Sequence, residues 1–177
     1  MGEAVPPESA LQSSHAWLGS LPDVDACRTC ELVARRDAGQ APEWDSILRT
    51  EAWDVAHAYG TSVSGWLVLV LRRHITALAD MTDHEASELG PLIQSVSHAL
   101  HEVTGCAKTY VVQFAEAADH PHVHVHVIPR SPDLPDEYRG PSIFKLLGVP
   151  TDQLVPENRM NDIAGKLKAE LGGPGAG

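Results

Sequence analysis

The stretch that most restricts this chain is DHPHVHVHVIPR, residues 119 to 130, where His120, His122, His124 and His126 alternate with Pro121, Val123 and Val125. A period of two is strand spacing, because successive side chains of a strand point to opposite faces. His122, His124 and His126 are thus expected on one face of a strand, and Val123, Val125 and Val127 on the other. β-Branched valines suit the core side, which leaves the imidazoles as a row on the working side. Pro129, unable to donate to a ladder, is expected to end the strand. Clustered titratable groups on one face mark a site. Two chemistries fit the row: metal chelation, or one imidazole serving as nucleophile or acid/base with the others in support.

The remaining elements have their own signals. CRTCELVARR, from Cys27, is a CxxC leading into a short helix, and SILRTEAWDVAHAYG holds two short β runs around a turn at Glu51. The apolar WLVLVL run is a buried strand. MTDHEASELGPLIQSVSHALHEVTG is a long helix, with a Thr82/Glu85 capping box and an apolar stripe of Leu89, Leu92, Ile93, Val96, Leu100 and Val103. Gly90-Pro91 is expected to kink it. TYVVQFAE reads as the strand before the histidine strand, and PSIFKLLG and VPENRMNDIAGKLKAELG as C-terminal helical pieces. These add up to an α+β domain in which an antiparallel sheet of about five strands packs against the long helix. Residues 1–24 read as a loose N-terminal arm, 25–148 as the domain, and 149–177 as a C-terminal helix and frayed tail.

Composition narrows the partners. A chain of 177 residues with net charge −11 argues against nucleic acid or an anionic membrane as the main partner, though a small anionic ligand is still allowed. No apolar run approaches the ~20 residues of a membrane span, and the opening MGEAVPPESALQSSHAW does not read as a signal peptide. A cytoplasmic, reducing location is expected, where three cysteines point to metal or thiol chemistry more than to disulfides. A lone CxxC is a weak metal signal by itself. Cys106, following the helix-ending Gly105, reads as a small buried residue.

Taken in order, a strand ending RRHI, a long helix, a strand and then HVHVHVIPR resemble the histidine-triad family of nucleotidyl hydrolases and transferases. The matching positions are His122, His124, His126, Val127, Ile128, Pro129 and Arg130, which leaves His120 outside the triad. The resemblance implies a homodimer and a nucleotide or nucleotidylated substrate. His124 becomes the nucleophile toward the α-phosphorus of a nucleoside phosphoester, phosphoanhydride or phosphoramidate, with His122 and His126 supporting it. Zinc-bearing relatives further imply a structural Zn²⁺ held by Cys27, Cys30, His74 and His122.

The chain departs from the family in two places. FAEAADHP stands where relatives carry Gly-Gln-Ser/Thr-Val, and the stretch from Val55 to Gly65 lacks an acidic residue for ribose. Asp119, His120 and Tyr59 are therefore expected as substrate-binding groups for a specialised substrate, whereas Glu116 reads as a solvated loop residue. Two other classes stay open: a metal-dependent enzyme using the histidine row as ligands, and a catalytically poor nucleotide-binding or sensor protein on the same fold.

Overall fold

The computed structural model describes residues 27–172; the expected N-terminal arm and the last five residues of the tail lie outside them. Helix α1 (Arg28–Asp37) leads into β1 (Leu48–Arg49), β2 (Trp53–His57) and β3 (Leu67–Leu71). Helix α2 (Asp83–Thr104) then crosses to β4 (Lys108–Val112) and β5 (His124–Arg130), and α3 (Glu157–Leu171) follows a run of 3₁₀ turns. The sheet order is β1-β2-β3-β5-β4, with every pair antiparallel. The expected α+β architecture and five-stranded sheet are both present.

Alternation along the strands creates two unlike faces. Leu67, Leu69 and Leu71 of β3, with Val125 and Val127 of β5 and Val123 just before it, form one core. They pack with Leu92, Val96 and Leu100 of α2 and with Ile163, Ala164 and Leu167 of α3. The C-terminal helix thus belongs to the same core as the sheet. On the other face a smaller cluster gathers Ala58, Trp66, Ile128 and Ile143, with Phe144 packed against it.

Several expectations shift. Strand β4 stops at Val112, so Phe114 to Pro121 are loop. Strand β5 begins only at His124 but continues through Pro129 to Arg130. Beyond Val127 it pairs with β4 alone, and such a half-paired segment tolerates a residue without an N–H. Helix α2 runs without a break through Pro91. PSIFKLLG forms a 3₁₀ run, Gly140–Leu146.

Two local devices hold β3 and α2 against each other. At Gly65, just before β3, φ is +83°, and an added Cβ would lie 3.2 Å from the Thr104 side chain and 3.3 Å from that of Leu100. Only glycine fits both the backbone and that approach. At the start of α2 the capping box is reciprocal: Glu85 N–H donates to Thr82 Oγ1 at 3.2 Å, and Thr82 N–H donates to Glu85 Oε2 at 2.8 Å. Arg73, after β3, donates to both carboxylate oxygens of Glu85 at 2.8 and 2.7 Å. Chiefly because of Arg73, the Glu85 carboxyl is held down at about 2.

A depressed carboxyl contributes stability above its unfolded value and loses it as pH falls through the folded one. Glu85→Gln keeps the shape and removes the charge. It should cost about 1 kcal/mol at neutral pH. The gap from the parent protein should close as pH drops from the ordinary carboxylate range toward 2. Urea unfolding of both proteins across that range checks this.

Candidate active site and metal site

Register places the histidines before any side chain is considered. His124 lies opposite Val70 and His126 opposite Val68, which in turn faces Ala56 of β2. These residues floor a cleft of about 480 Å³ on the sheet face away from α2. Its walls include Thr29 and Leu32 from α1, Tyr59 and His120 on one side, and Phe114, Glu116 and Phe144 on another. Small and apolar groups on the floor leave room for a flat ligand over the two imidazoles.

Each imidazole has its protons assigned by its partner. His124 Nδ1 lies 2.7 Å from the backbone oxygen of His122. A carbonyl can only accept, so Nδ1 carries the proton and Nε2 keeps its lone pair. Burial outweighs that hydrogen bond and lowers the His124 pKa, which favours the neutral, nucleophilic ring. His126 Nδ1 accepts from the indole N–H of Trp66 at 3.0 Å, and burial, then the neighbouring His124, push its pKa down to about 3. The two rings meet edge to face with centroids 5.0 Å apart.

His122 is placed differently from the expected row. It precedes β5, is fully buried, and is absent from the cleft lining. Its Nε2–H donates to the Leu71 carbonyl at 2.6 Å, which frees Nδ1 to face Cys27 Sγ at 3.7 Å, Cys30 Sγ at 3.5 Å and His74 Nδ1 at 3.3 Å. His74 Nδ1 lies 3.1 Å from Cys30 Sγ. These four residues form a group able to hold one metal ion.

The fit can be tested from bond lengths. Zinc bonds of about 2.3 Å to sulfur and 2.0–2.1 Å to nitrogen, at tetrahedral angles, separate S from N by about 3.5 Å and N from N by about 3.3 Å. The observed separations centre on those values. Burial drives the His122 pKa down to about 4, so the ring is neutral, as a ligand must be. Burial, with Cys27 adding to it, pushes the Cys30 thiol up to about 12. A cation bound among these groups would convert that thiol to a thiolate. His124 and His126 belong to no metal-capable group among the described residues, so the row does not form a single ligand set.

The expected substrate groups divide. Tyr59 and His120 line the cleft and are joined, Tyr59 Oη lying 2.8 Å from His120 Nε2. The other nitrogen of His120 is 2.7 Å from Thr29 Oγ1, between the two cysteines of the CxxC. Asp119 does not line the cleft: its carboxylate is 71% exposed and stands 3.7 Å from His120 Nε2. Glu116, expected as loop, is exposed but does border the cleft. It neighbours Ala115, whose φ of 55° is the one positive value among the described non-glycine residues.

Trp66, Phe144, Phe114 and Thr29 escaped the sequence reading. Trp66 was the findable one, because a buried indole N–H requires an acceptor, and an alternating histidine strand supplies one. Cys106 is buried as expected.

No curated protein matches the chain. Residues 49–133 match the family model described as HIT domain. Among solved structures, a Zn-bound histidine-triad family protein from Mycobacterium smegmatis is 18% identical, with TM-score 0.59, covering 85% of this chain and 96% of its own. A hypothetical histidine-triad nucleotide-binding protein from Sulfolobus tokodaii is 12% identical, with TM-score 0.60 and coverage of 81% and 92%. A histidine-triad protein from Bradyrhizobium japonicum is 22% identical, with TM-score 0.59 and coverage of 71% and 88%. Strand order, the HVHVHVIPR run and the family-model match agree, and residues 49–133 of this chain are a histidine-triad domain.

Proposed function

We propose that this protein is a nucleotide hydrolase or nucleotidyl transferase that works through a covalent nucleotidyl-His124 intermediate. The observation that carries the reading is the His124 Nδ1–H bond to the His122 carbonyl, which leaves a lone pair on Nε2 of a neutral ring lining the cleft. In the first step Nε2 attacks the α-phosphorus, an N–P bond forms, and the leaving group departs with the electron pair of its bond to phosphorus. The imidazolium charge that develops is shared with the His122 carbonyl through Nδ1–H. Water, or an acceptor in transfer, then attacks phosphorus and returns the N–P pair to Nε2 while losing its proton to solvent. His126, whose Nδ1 is engaged by Trp66, supports the phosphoryl oxygens through its other nitrogen.

His122 enters this reading as a metal ligand and as the owner of the carbonyl that positions His124. The metal proposed for Cys27, Cys30, His74 and His122 is zinc in a structural role. Four protein ligands would complete a tetrahedral zinc site and leave no position open for substrate. Thiolate ligation fits the reducing, cytoplasmic setting expected for the chain. No helix among the described residues is long and apolar enough to cross a membrane. For the proposed homodimer, β4 offers a sheet edge unpaired among the described residues, where Val111 is exposed.

Recognition of substrate is where this protein should differ from its relatives. Asp54, just ahead of the Val55–Gly65 stretch, is committed to arginines: Arg49 donates to it at 2.6 Å and Arg36 stands 3.6 Å away. Within the stretch, His57 Nε2 accepts from Gly65 N–H at 2.9 Å and its Nδ1–H donates to Ala58 O at 2.7 Å. Neither is free to bind ribose. The groups facing a ligand are instead Tyr59, His120 and the aromatic side of Phe114 and Phe144, which supports a specialised substrate whose non-nucleotide part meets Tyr59 or His120.

Three outcomes follow. His124→Ala should abolish turnover of nucleoside phosphoramidates and dinucleoside polyphosphates while unfolding like the parent, and intact-mass analysis of the parent after rapid quench should show a nucleotidyl adduct. Near-parental turnover in His124→Ala would eliminate the covalent mechanism. Elemental analysis should find one zinc per chain, and Cys30→Ser should lose it with a fall in Tm of about 10 °C or more; metal-free folded protein at parental Tm would remove the zinc proposal. Finally, loss of two polar contacts at about 1–3 kcal/mol each predicts kcat/KM on adenosine phosphoramidate one to several orders of magnitude below that of a typical histidine-triad hydrolase. Equal values would return this protein to the generic class.

A further inference from the structure

Trp66 is the least expected component of the site. It stands at the entry to β3, is fully buried, and its ring meets His126 at a centroid distance of 5.8 Å and Phe144 at 5.3 Å. Its Nε1–H reaches His126 Nδ1 at 3.0 Å. An indole nitrogen is a donor and nothing else. The His126 nitrogen facing it must therefore be bare, and in a neutral ring the proton then resides on Nε2. The reverse tautomer would oppose two N–H groups in a buried place and leave the indole without an acceptor, which disfavours it by about tenfold or more. His126 Nε2 has no protein partner among the described residues, and the ring lines the cleft beside His124.

We propose that Trp66 is a positioning residue that locks His126 as its Nε2–H tautomer, so that the cleft always presents a donor for the phosphoryl oxygens beside the His124 lone pair. The two histidines are thereby given opposite assignments by different means. His124 has its proton drawn to Nδ1 by a backbone carbonyl, and His126 has its proton driven to Nε2 by an indole. One ring is an attacking lone pair and the other a fixed hydrogen-bond donor, with no rearrangement needed when charge builds on the phosphoryl group. The packing of Phe144 against both Trp66 and His126, the latter at 5.4 Å, keeps the two rings in register.

The donor role rests on the nucleotidyl-transfer reading, but the tautomer does not, and the experiment separates them. Long-range ¹H–¹⁵N correlation spectra of the ¹⁵N-labelled protein at neutral pH should show His126 as a single Nε2–H tautomer, with its Nε2 resonance moving on addition of AMP. Trp66→Phe retains an aromatic ring and deletes the donor. In that variant His126 should become a mixture of tautomers, AMP should bind more weakly, and kcat on adenosine phosphoramidate should fall about three- to tenfold with KM within about twofold of the parent. An Nδ1–H or averaged His126 in the parent protein overturns the proposal without any variant, even if Trp66→Phe fails to fold. A folded Trp66→Phe with parental tautomer, AMP affinity and kcat overturns it as well. If no substrate is turned over by the parent, the nucleotidyl-transfer reading fails, and the His126 tautomer with its AMP response still decides the role of Trp66.

Discussion

A strand held by hydrogen-bonded neighbours cannot rotate about its own axis, and β5 is held by β3 from His124 to Val127 and by β4 from His126 to Arg130. That restraint divides its side chains between two environments. Val125 and Val127 are committed to α2 and α3, which commits His124 and His126 to the opposite face. Slipping the register by one residue would put imidazoles into the leucine core and valines into the cleft, so the core energy itself maintains the site. Packing and chemistry here are one constraint seen from two sides of a sheet.

Given that placement, hydrogen-bond partners divide the labour among rings of the same type. His57 is consumed by two backbone groups, and His122 by the Leu71 carbonyl and the cysteine group. His124 donates its Nδ1–H to a carbonyl, whereas His126 Nδ1 accepts a hydrogen bond from an indole N–H. Burial keeps all four toward the neutral form. Neutrality matters because a neutral imidazole has distinguishable nitrogens, and it is the partners that choose between them.

One end of the cleft is closed by a buried charge group joining α1 to the sheet. Arg36 reaches Asp45 at 2.6 Å and stands 3.6 Å from Asp54, with all three side chains almost wholly buried. Burial raises the Asp45 pKa even against the attraction of Arg36. Removing one member of such a group typically costs about 3–5 kcal/mol because the others are left uncompensated, so α1 is strongly tied to this orientation. Since α1 begins with Cys27 as its cap and carries Cys30, the same tie presents both sulfurs to His74 and His122.

Features that depend on local periodicity and local chemistry were legible in the sequence. Strand spacing identified β5 and its two faces, the Thr82/Glu85 pair located the start of α2, and the apolar LVLVL run marked β3. The grouping of the CxxC with His74 and His122 was legible only through a family resemblance, since residues 44 to 95 positions apart carry no local signal. Tertiary structure decided the rest. It withdrew His122 from the row, turned Asp119 to solvent and brought Trp66, Phe144 and Thr29 to the histidines. The physical reason is that periodicity fixes which face a residue takes, whereas a hydrogen-bond partner is fixed by which strand lies alongside. That pairing is set by the collective burial of the core, which no short stretch of sequence contains.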